Sequence, residues 1–230
     1  MQVVYLHGFA SSPASSKALF LGERLAACGL TLQCPDLNAP DFSTLTVSRM
    51  VAQVEHLIQG LAHGPVALIG SSLGAFVAVQ AAERSWRAGR SAVGAAGADH
   101  PIAWLVLLAP ALDFGANRIK NLGPEGLARW RASNRLEVEH YAEGRVRHVH
   151  YELYEDASRY DSFAATAALP TLILQGRRDE VVDPAMVERY ARDRRHVTLV
   201  LLDDDHQLKA SLEQVWRQTA GFLAVTSSAD

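Results

Sequence analysis

Cysteine is scarce: the 230 residues carry two, Cys28 and Cys34. Two thiols cannot build a disulfide framework, and their scarcity points to a reduced, cytoplasmic setting. Cys34 falls in a strand-like run and reads as a small buried hydrophobe. No apolar run reaches the ~20 residues of a membrane-spanning helix, so no membrane is expected as a partner. Met1-Gln2-Val3-Val4-Tyr5 lacks a basic stretch and enters a strand pattern at once, unlike a signal peptide. An excess of one charge is missing too. Lys and Arg number 22 against 25 Asp and Glu, a net −3, which argues against nucleic acid or an anionic membrane surface. The densest basic cluster, Arg192, Arg194 and Arg195, is interrupted by Asp193 and reads as a solvated helix end. There is no internal repeat and no dividing linker. One domain over 1–230 is expected, long enough to bury a full core.

What the chain does have is an alternation of apolar runs and helical patterns. Gln2 to Leu6 reads as the first strand. Ser15-Ser16-Lys17 opens a helix with Leu19, Phe20, Leu25 and Ala26 at helical spacing, and Gly29 ends it. Leu30 to Cys34 reads as a strand, and Thr44 or Thr46 starts a helix through Met50, Val54, Leu57 and Ile58. Val66 to Ile69, Ile102 to Ala109, Pro170 to Gln175 and Val197 to Leu202 read as further strands. Helices are expected after Gly74, from about Pro184 to Arg192, and from Leu208 to Leu223; Trp86 to His100 reads as a loop. This rhythm predicts an α/β fold with a doubly wound, mostly parallel sheet of about six strands.

Asp113 to Ala165 breaks the rhythm. It holds a short helical pattern near Glu125 to Ala132 and an alternating stretch, Val146 to Tyr154, that reads as a strand. Roughly fifty residues between two strands exceed a plain crossover. Residues 113–165 are therefore expected as an inserted cap over the carboxyl edge of the sheet, where open α/β sheets bind ligands. Its aromatics, Trp130, Tyr141, Tyr151, Tyr154 and Tyr160, are expected to pack the cap onto the body. Arg145, Arg147, His148, His150 and Glu152 crowd one part of it, so it lacks the broad apolar face of a lid that opens on lipid.

The organising stretch is Val66-Ala-Leu-Ile-Gly-Ser-Ser-Leu-Gly-Ala75. It runs from an apolar strand through Gly-x-Ser-x-Gly into a helical pattern. In that context the turn is strained and exposes the central serine, with the helix N-terminus beneath it. Gly70 and Gly74 must be small so that strand and helix can approach. Ser72 is the candidate nucleophile, and the Leu73 amide can donate to an oxyanion beside it. Upstream, the first strand ends in His7-Gly8-Phe9. Gly8 lets the backbone turn so that the Phe9 amide can supply a second donor. His7 is expected to fix this loop by side-chain hydrogen bonds, not to act as a base.

Downstream, Asp179 follows one strand in a Gly-x-x-Asp turn and His206 follows the next. Adjacent parallel strands lie about 4.8 Å apart, so their carboxyl ends can bring the two side chains together. Ser72, Asp179, His206 is the chain order of a nucleophile, an orienting acid and a base. Asp183, ahead of Pro184, reads instead as a helix start. Asp203, Asp204 and Asp205 read as a solvated turn. A metal site on His148, His150 or the Asp203–His206 run would need three ligands and a supporting shell, and these histidines read as a solvated face.

These residues resemble the α/β-hydrolase superfamily. Tyr5-Leu6-His7-Gly8-Phe9-Ala10-Ser11-Ser12-Pro13, followed by Lys17, is similar to the opening of the small bacterial YqiA-like esterases. The resemblance covers nearly the whole chain and is weakest across Asp113 to Ala165. It implies a serine hydrolase acting on a small-molecule ester through an acyl-enzyme, without cofactor or metal. His206 would be the base, Asp179 its orienter, and the Phe9 and Leu73 amides the oxyanion donors. The cap composition adds an expectation of short to medium acyl chains. A thioesterase, amidase or peptidase using the same residues stays open, as does a non-catalytic binding protein of this fold. The oligomeric state is not legible.

Overall fold

β1 (Gln2–Leu6) divides two cores. Val3 and Tyr5 enter one apolar cluster and Val4 and Leu6 the other, as the period-two geometry of a strand requires. The computed structural model of the protein describes residues 1–61, 64–91 and 101–225. In chain order β1 is followed by α1 (Ser16–Ala27), β2 (Leu32–Gln33), α2 (Val47–Gly60), β3 (Val66–Ser71), α3 (Leu73–Ser91) and β4 (Ile102–Leu108). Then come α4 (Phe114–Ser133), β5 (Leu136–His140), β6 (Arg145–Val149), α5 (Glu152–Ala157), β7 (Thr171–Gly176), α6 (Pro184–Arg192), β8 (Val197–Leu202) and α7 (Leu212–Leu223).

Six strands form one parallel sheet in the order β2-β1-β3-β4-β7-β8. Every residue of β3 and β7 is buried, which is why their centres read as apolar runs, Val66 to Ile69 and Leu172 to Leu174. Buried residues of α1 and α7 pack on one face of the sheet; those of α2, α3 and α6 pack on the other. The strand order reverses between β1 and β3, where Leu6 pairs with Gly70. That is the switch point at which open α/β sheets bind ligands. The helix starts follow capping chemistry. Ser15, Thr46 and Asp183 each accept a hydrogen bond from an amide two or three residues ahead, and Pro184 opens α6.

Several expectations are corrected. The second strand shrinks to Leu32–Gln33, at the sheet edge. α3 continues to Ser91, past the expected loop start at Trp86; the rest of that loop, 92–100, lies outside the described residues. The stretch from Val146 to Tyr154 is a strand only to Val149, and Glu152 already begins α5. Its alternation conceals a turn, because Val149 and Leu153 are both buried at helical spacing. The helix expected near Glu125 runs from Phe114, broken at Gly123 (φ 65°) just before Pro124. α7 starts at Leu212, not Leu208.

The segment between β4 and β7 therefore holds α4, the antiparallel hairpin β5–β6, and α5. Trp130 donates to the Val149 carbonyl at 3.0 Å, joining α4 to the hairpin. The His150 amide donates to Ser43 O, and Asp156 accepts from the amide and hydroxyl of Ser48 on α2. Tyr160 shares the Ser48 hydroxyl at 2.7 Å. Of the five aromatics expected to pack this segment down, Tyr141 is the exception, 72% exposed at the hairpin tip.

Candidate active site

The turn between β3 and α3 leaves no room for a side chain at its flanks. A Cβ on Gly74 would lie 2.0 Å from the Leu6 carbonyl oxygen, and one on Gly70 would lie 2.5 Å from Ala75 Cα. Between them Ser72 has φ 52°, a strained left-handed conformation for a residue with a side chain. Its own peptide pins it there. The Ser72 amide donates to Leu108 O, and its carbonyl accepts from the amides of Ala75, Phe76 and Ala111.

His206 meets Ser72 from the far end of the sheet. Its Nε2 lies 3.1 Å from Ser72 Oγ, and its Nδ1 lies 2.9 Å from Asp179 Oδ2. The Nδ1 hydrogen points to the carboxylate, so Nε2 presents a lone pair to the serine hydroxyl. β7 and β8 bring this about in register, with Gly176 opposite Leu202.

Asp179 has a completely buried side chain, and its acceptor capacity is used. Oδ1 accepts from the amides of Val181 and Val182, and Oδ2 from Gln175 Nε2 as well as from His206. Burial alone pushes this carboxyl up. The hydrogen bonds from His206, Val182 and Gln175, with the histidine's charge, outweigh it and hold the group below the usual carboxylate range.

The loop after β1 lies directly against the serine. A Cβ on Gly8 would sit 3.4 Å from Ser72 Cβ. The half-buried Phe9 that follows packs its ring 5.5 Å from Phe42 and 6.1 Å from Phe114. Leu73 is the first residue of α3, where a helix amide has no acceptor within the helix. His7 is 2% exposed, and its ring bonds the loops on either side of it rather than Ser72. Its Nδ1 donates to Gly8 O and its Nε2 accepts from the Leu37 amide at 3.0 Å. Burial, outweighing the nearby Asp36 carboxylate, pushes its pKa down and keeps the ring neutral.

The rival acids are engaged elsewhere. Asp183 accepts from the Ala185 amide at the start of α6. Asp203 pairs with Arg178. Asp205 accepts from the Gln207 amide. Asp204 corrects the expectation of a solvated turn: it is buried, accepts from the amides of Asp205 and Ser211, and so ties the His206 loop to the start of α7. Arg194 also departs from a solvated helix end. It stacks 4.0 Å over Tyr190 and donates to Phe163 O. His148 and His150 lie with rings 5.8 Å apart, and among the described residues no group of three or more His, Cys, Asp or Glu could hold a metal ion.

Gln175 is a site residue that the sequence reading passed over. Its signal is a polar side chain closing the otherwise apolar run Leu172-Ile173-Leu174. Asp204 was hidden inside a run of three acids that looks uniformly solvated.

Over residues 2–223 the chain matches the model of the uncharacterised protein family UPF0227, and it belongs to that family. No curated protein matches it. Among solved structures it is similar to a candidate hydrolase from Agrobacterium vitis S4, with TM-score 0.81 and 23% identity over 96% of this chain and 87% of the other. It is similar to Est1E from Butyrivibrio proteoclasticus, solved with ferulic acid, with TM-score 0.78 and 19% identity over 97% and 88%. It is also similar to the Pyrococcus furiosus esterase PF2001, with TM-score 0.66 and 20% identity over 99% and 82%. The fold is that of the α/β hydrolases, as the sequence resemblance implied. Among the described residues no helix is long and apolar enough to cross a membrane.

Proposed function

We propose that this member of the UPF0227 family is a serine hydrolase that cleaves carboxylic esters, with Ser72 as nucleophile, His206 as base and Asp179 as its orienting acid. The observation that carries the reading is the unbroken line of hydrogen bonds from Asp179 through His206 to Ser72 Oγ, at 2.9 and 3.1 Å. Its placement at strand ends, on a fold shared with the Pyrococcus furiosus esterase, supports it.

The chemistry follows from the protonation pattern. A serine hydroxyl is a weak nucleophile until a base takes its proton. Nε2 is oriented to do so, and the Asp179 carboxylate stabilises the imidazolium that forms. Attack on the ester carbonyl places negative charge on its oxygen. The amides of Phe9 and Leu73, with the N-terminus of α3, are proposed to receive it. The imidazolium then protonates the departing alcohol, leaving an acyl-enzyme. Water, activated by the same histidine, releases the acid and restores Ser72. None of these steps calls on a cofactor.

We read residues 113–165 as a cap that helps to bound the acyl pocket, and the substrates as soluble esters of short to medium acyl chain. Phe9 and Phe114, which pack on each other beside the serine turn, support an apolar acyl site. The test is a fluorophosphonate probe together with aryl esters of graded chain length. Labelling at Ser72 and hydrolysis peaking at short to medium chains are expected. An unlabelled Ser72, or thioester turnover far above ester turnover, overturns the reading.

A further inference from the structure

One buried charge beside this machinery takes no part in the steps above. Lys17 stands in the first turn of α1, and only 8% of it is exposed. Its ammonium donates to the carbonyl of Gln207 at 2.9 Å, the residue next to His206. Among the described residues it makes no ion pair. Burial pushes its pKa down to about 8. Lys209 adds to that push, while Asp205, Asp179 and Asp204 act against it from longer range.

A buried ammonium with one protein acceptor is a poor choice for stability. An apolar side chain of similar volume in such a place is often neutral or stabilising. The location supplies another reason. α1 begins at the Ser15 cap and closes the loop that opens with His7-Gly8-Phe9. The loop carrying His206 is held ahead of the histidine by the Arg178 amide on Asp204 O, and just after it by Lys17 on Gln207 O. Leu208, the next residue, takes a left-handed φ of 55°, so the chain turns sharply there. Lys17 thus joins the loop with the proposed oxyanion donor to the loop with the proposed base.

We infer that Lys17 is a positioning residue for the base: its ammonium, fixed on the Gln207 carbonyl, holds the His206 loop against α1 and keeps imidazole, Ser72 and the Phe9 loop in register. The catalytic consequence rests on the serine-hydrolase reading; the effect on His206 does not. The charged groups around the lysine are Lys209, Asp205, Asp179 and Asp204, so its replacement by an apolar side chain removes one positive charge beside the loop that carries His206.

The experiment compares full-length wild type with Lys17→Met and Lys17→Arg. It measures kcat and KM for a soluble aryl ester across pH, thermal melting, and the NMR titration of His206, assigned with His206→Gln. In Lys17→Met kcat should fall at least about tenfold, with KM within about twofold, because a misplaced base costs rate and not binding. The His206 titration and the ascending limb of the rate should move to higher pH, while the melting temperature holds or rises. Lys17→Arg, which keeps a charge, should return the titration toward wild type and recover part of kcat. An unchanged His206 titration and kcat in Lys17→Met overturns the inference. So does a Lys17→Met protein that melts far below wild type, which would make Lys17 a structural clamp. If wild type neither labels at Ser72 nor hydrolyses esters, the serine-hydrolase reading fails, and the His206 titration still decides the role of Lys17.

Discussion

The strand ends and the segment between β4 and β7 are held in place by different means. At the strand ends, backbone does the positioning. Two close approaches at Gly70 and Gly74, a serine locked at positive φ, and four donors on one buried carboxylate leave little freedom. The segment of α4, β5, β6 and α5 is attached to the body by side chains that cross long sequence gaps. Asp156 and Tyr160 bond Ser48. Ser162 accepts from Gln80, and Glu83 receives the amides of Thr166 and Ala167. The first kind of restraint tolerates no change at a few positions. The second spreads over many contacts, each worth about 1 kcal/mol, so the segment can vary while the strand ends stay fixed.

The contrast is sharpest in the largest effect expected. Ser72→Ala should lower kcat by about 10⁵-fold while the protein still folds, since the hydroxyl stabilises no core contact. Ser71→Ala, one residue away on β3, should keep most of the rate. Comparing both variants on an activated ester checks this; a near wild-type rate in Ser72→Ala would sink the nucleophile assignment. Gly74→Ala tests the backbone side. The new methyl would lie 2.0 Å from the Leu6 oxygen and 2.5 Å from its carbonyl carbon, neither of which can swing aside. A loss of about 4 kcal/mol or more in urea unfolding, or failure to fold, is expected. A mild loss would mean that β1 and α3 can separate and that the turn is less constrained than its geometry implies.

The same difference explains what was legible in the sequence. Gly70-Ser71-Ser72-Leu73-Gly74, the His7-Gly8-Phe9 turn and the caps at Ser15, Thr46 and Asp183 are local devices. A few contiguous residues carry the whole signal, and the structure has each of them at an element boundary. Asp179 and His206 were readable because strand ends in a parallel sheet share one edge. Gln175 and Asp204 were not, and Lys17 was legible only as part of the opening that resembles a known family, because each bonds a partner that sequence spacing does not indicate. The hairpin β5–β6 with α5 was missed for a different reason: Val149 and Leu153 fit a strand alternation and a helical turn equally well. The backbone decides between them: the amides of Leu153 and Tyr154 bond His150 O and Tyr151 O, a turn that ends the strand at Val149.

Next in size is the pH dependence set by Lys17. Its ammonium titrates at about 8 in the fold and near 10.5 unfolded. Below about 8 both states are protonated, and the fold carries the full cost of the buried charge. Between 8 and 10.5 the unfolded chain binds more protons, so stability rises with pH. The displacement corresponds to about 3 kcal/mol. Lys17→Met should remove that rise, so the difference in unfolding free energy between variant and wild type should shrink as pH goes from 7 to 10.5. Urea unfolding at several pH values measures it; a constant difference would mean that Lys17 is not buried as a charge.

Asp156→Ala probes the side-chain mode of attachment. The carboxylate is 5% exposed and receives two hydrogen bonds from Ser48. Its loss leaves the half-buried Ser48 amide without this acceptor and the Ser48 hydroxyl with Tyr160 alone, at about 1 kcal/mol. The melting temperature should drop while fluorophosphonate still labels Ser72 at close to the wild-type rate. Slowed labelling in step with the loss of stability would show that the two regions are not held independently.

The smallest effect expected is none at all, and it concerns how substrate meets the segment between β4 and β7. A lid that opens on lipid needs a broad apolar face kept closed in water and driven open by an interface. Among the described residues of this segment the large exposed apolar side chains are Tyr141 and Val146, both on the hairpin, with Val146 between Arg145 and Arg147. Two such side chains among arginines make no continuous patch. Hydrolysis should therefore follow ordinary saturation in dissolved ester and show no jump when the ester passes its solubility limit. Each methylene of the acyl chain is worth about 1–3 kcal/mol in an apolar pocket, so kcat/KM should peak within the short to medium chains rather than climb to palmitate. Rates for aryl esters from acetate to palmitate, below and above the solubility limit, make the test. A sharp rise at emulsion formation, with a maximum at the longest chains, would show that the segment works as an interfacial lid despite its charged hairpin. In that case the segment would move with its substrate rather than sit passively beside fixed strand ends.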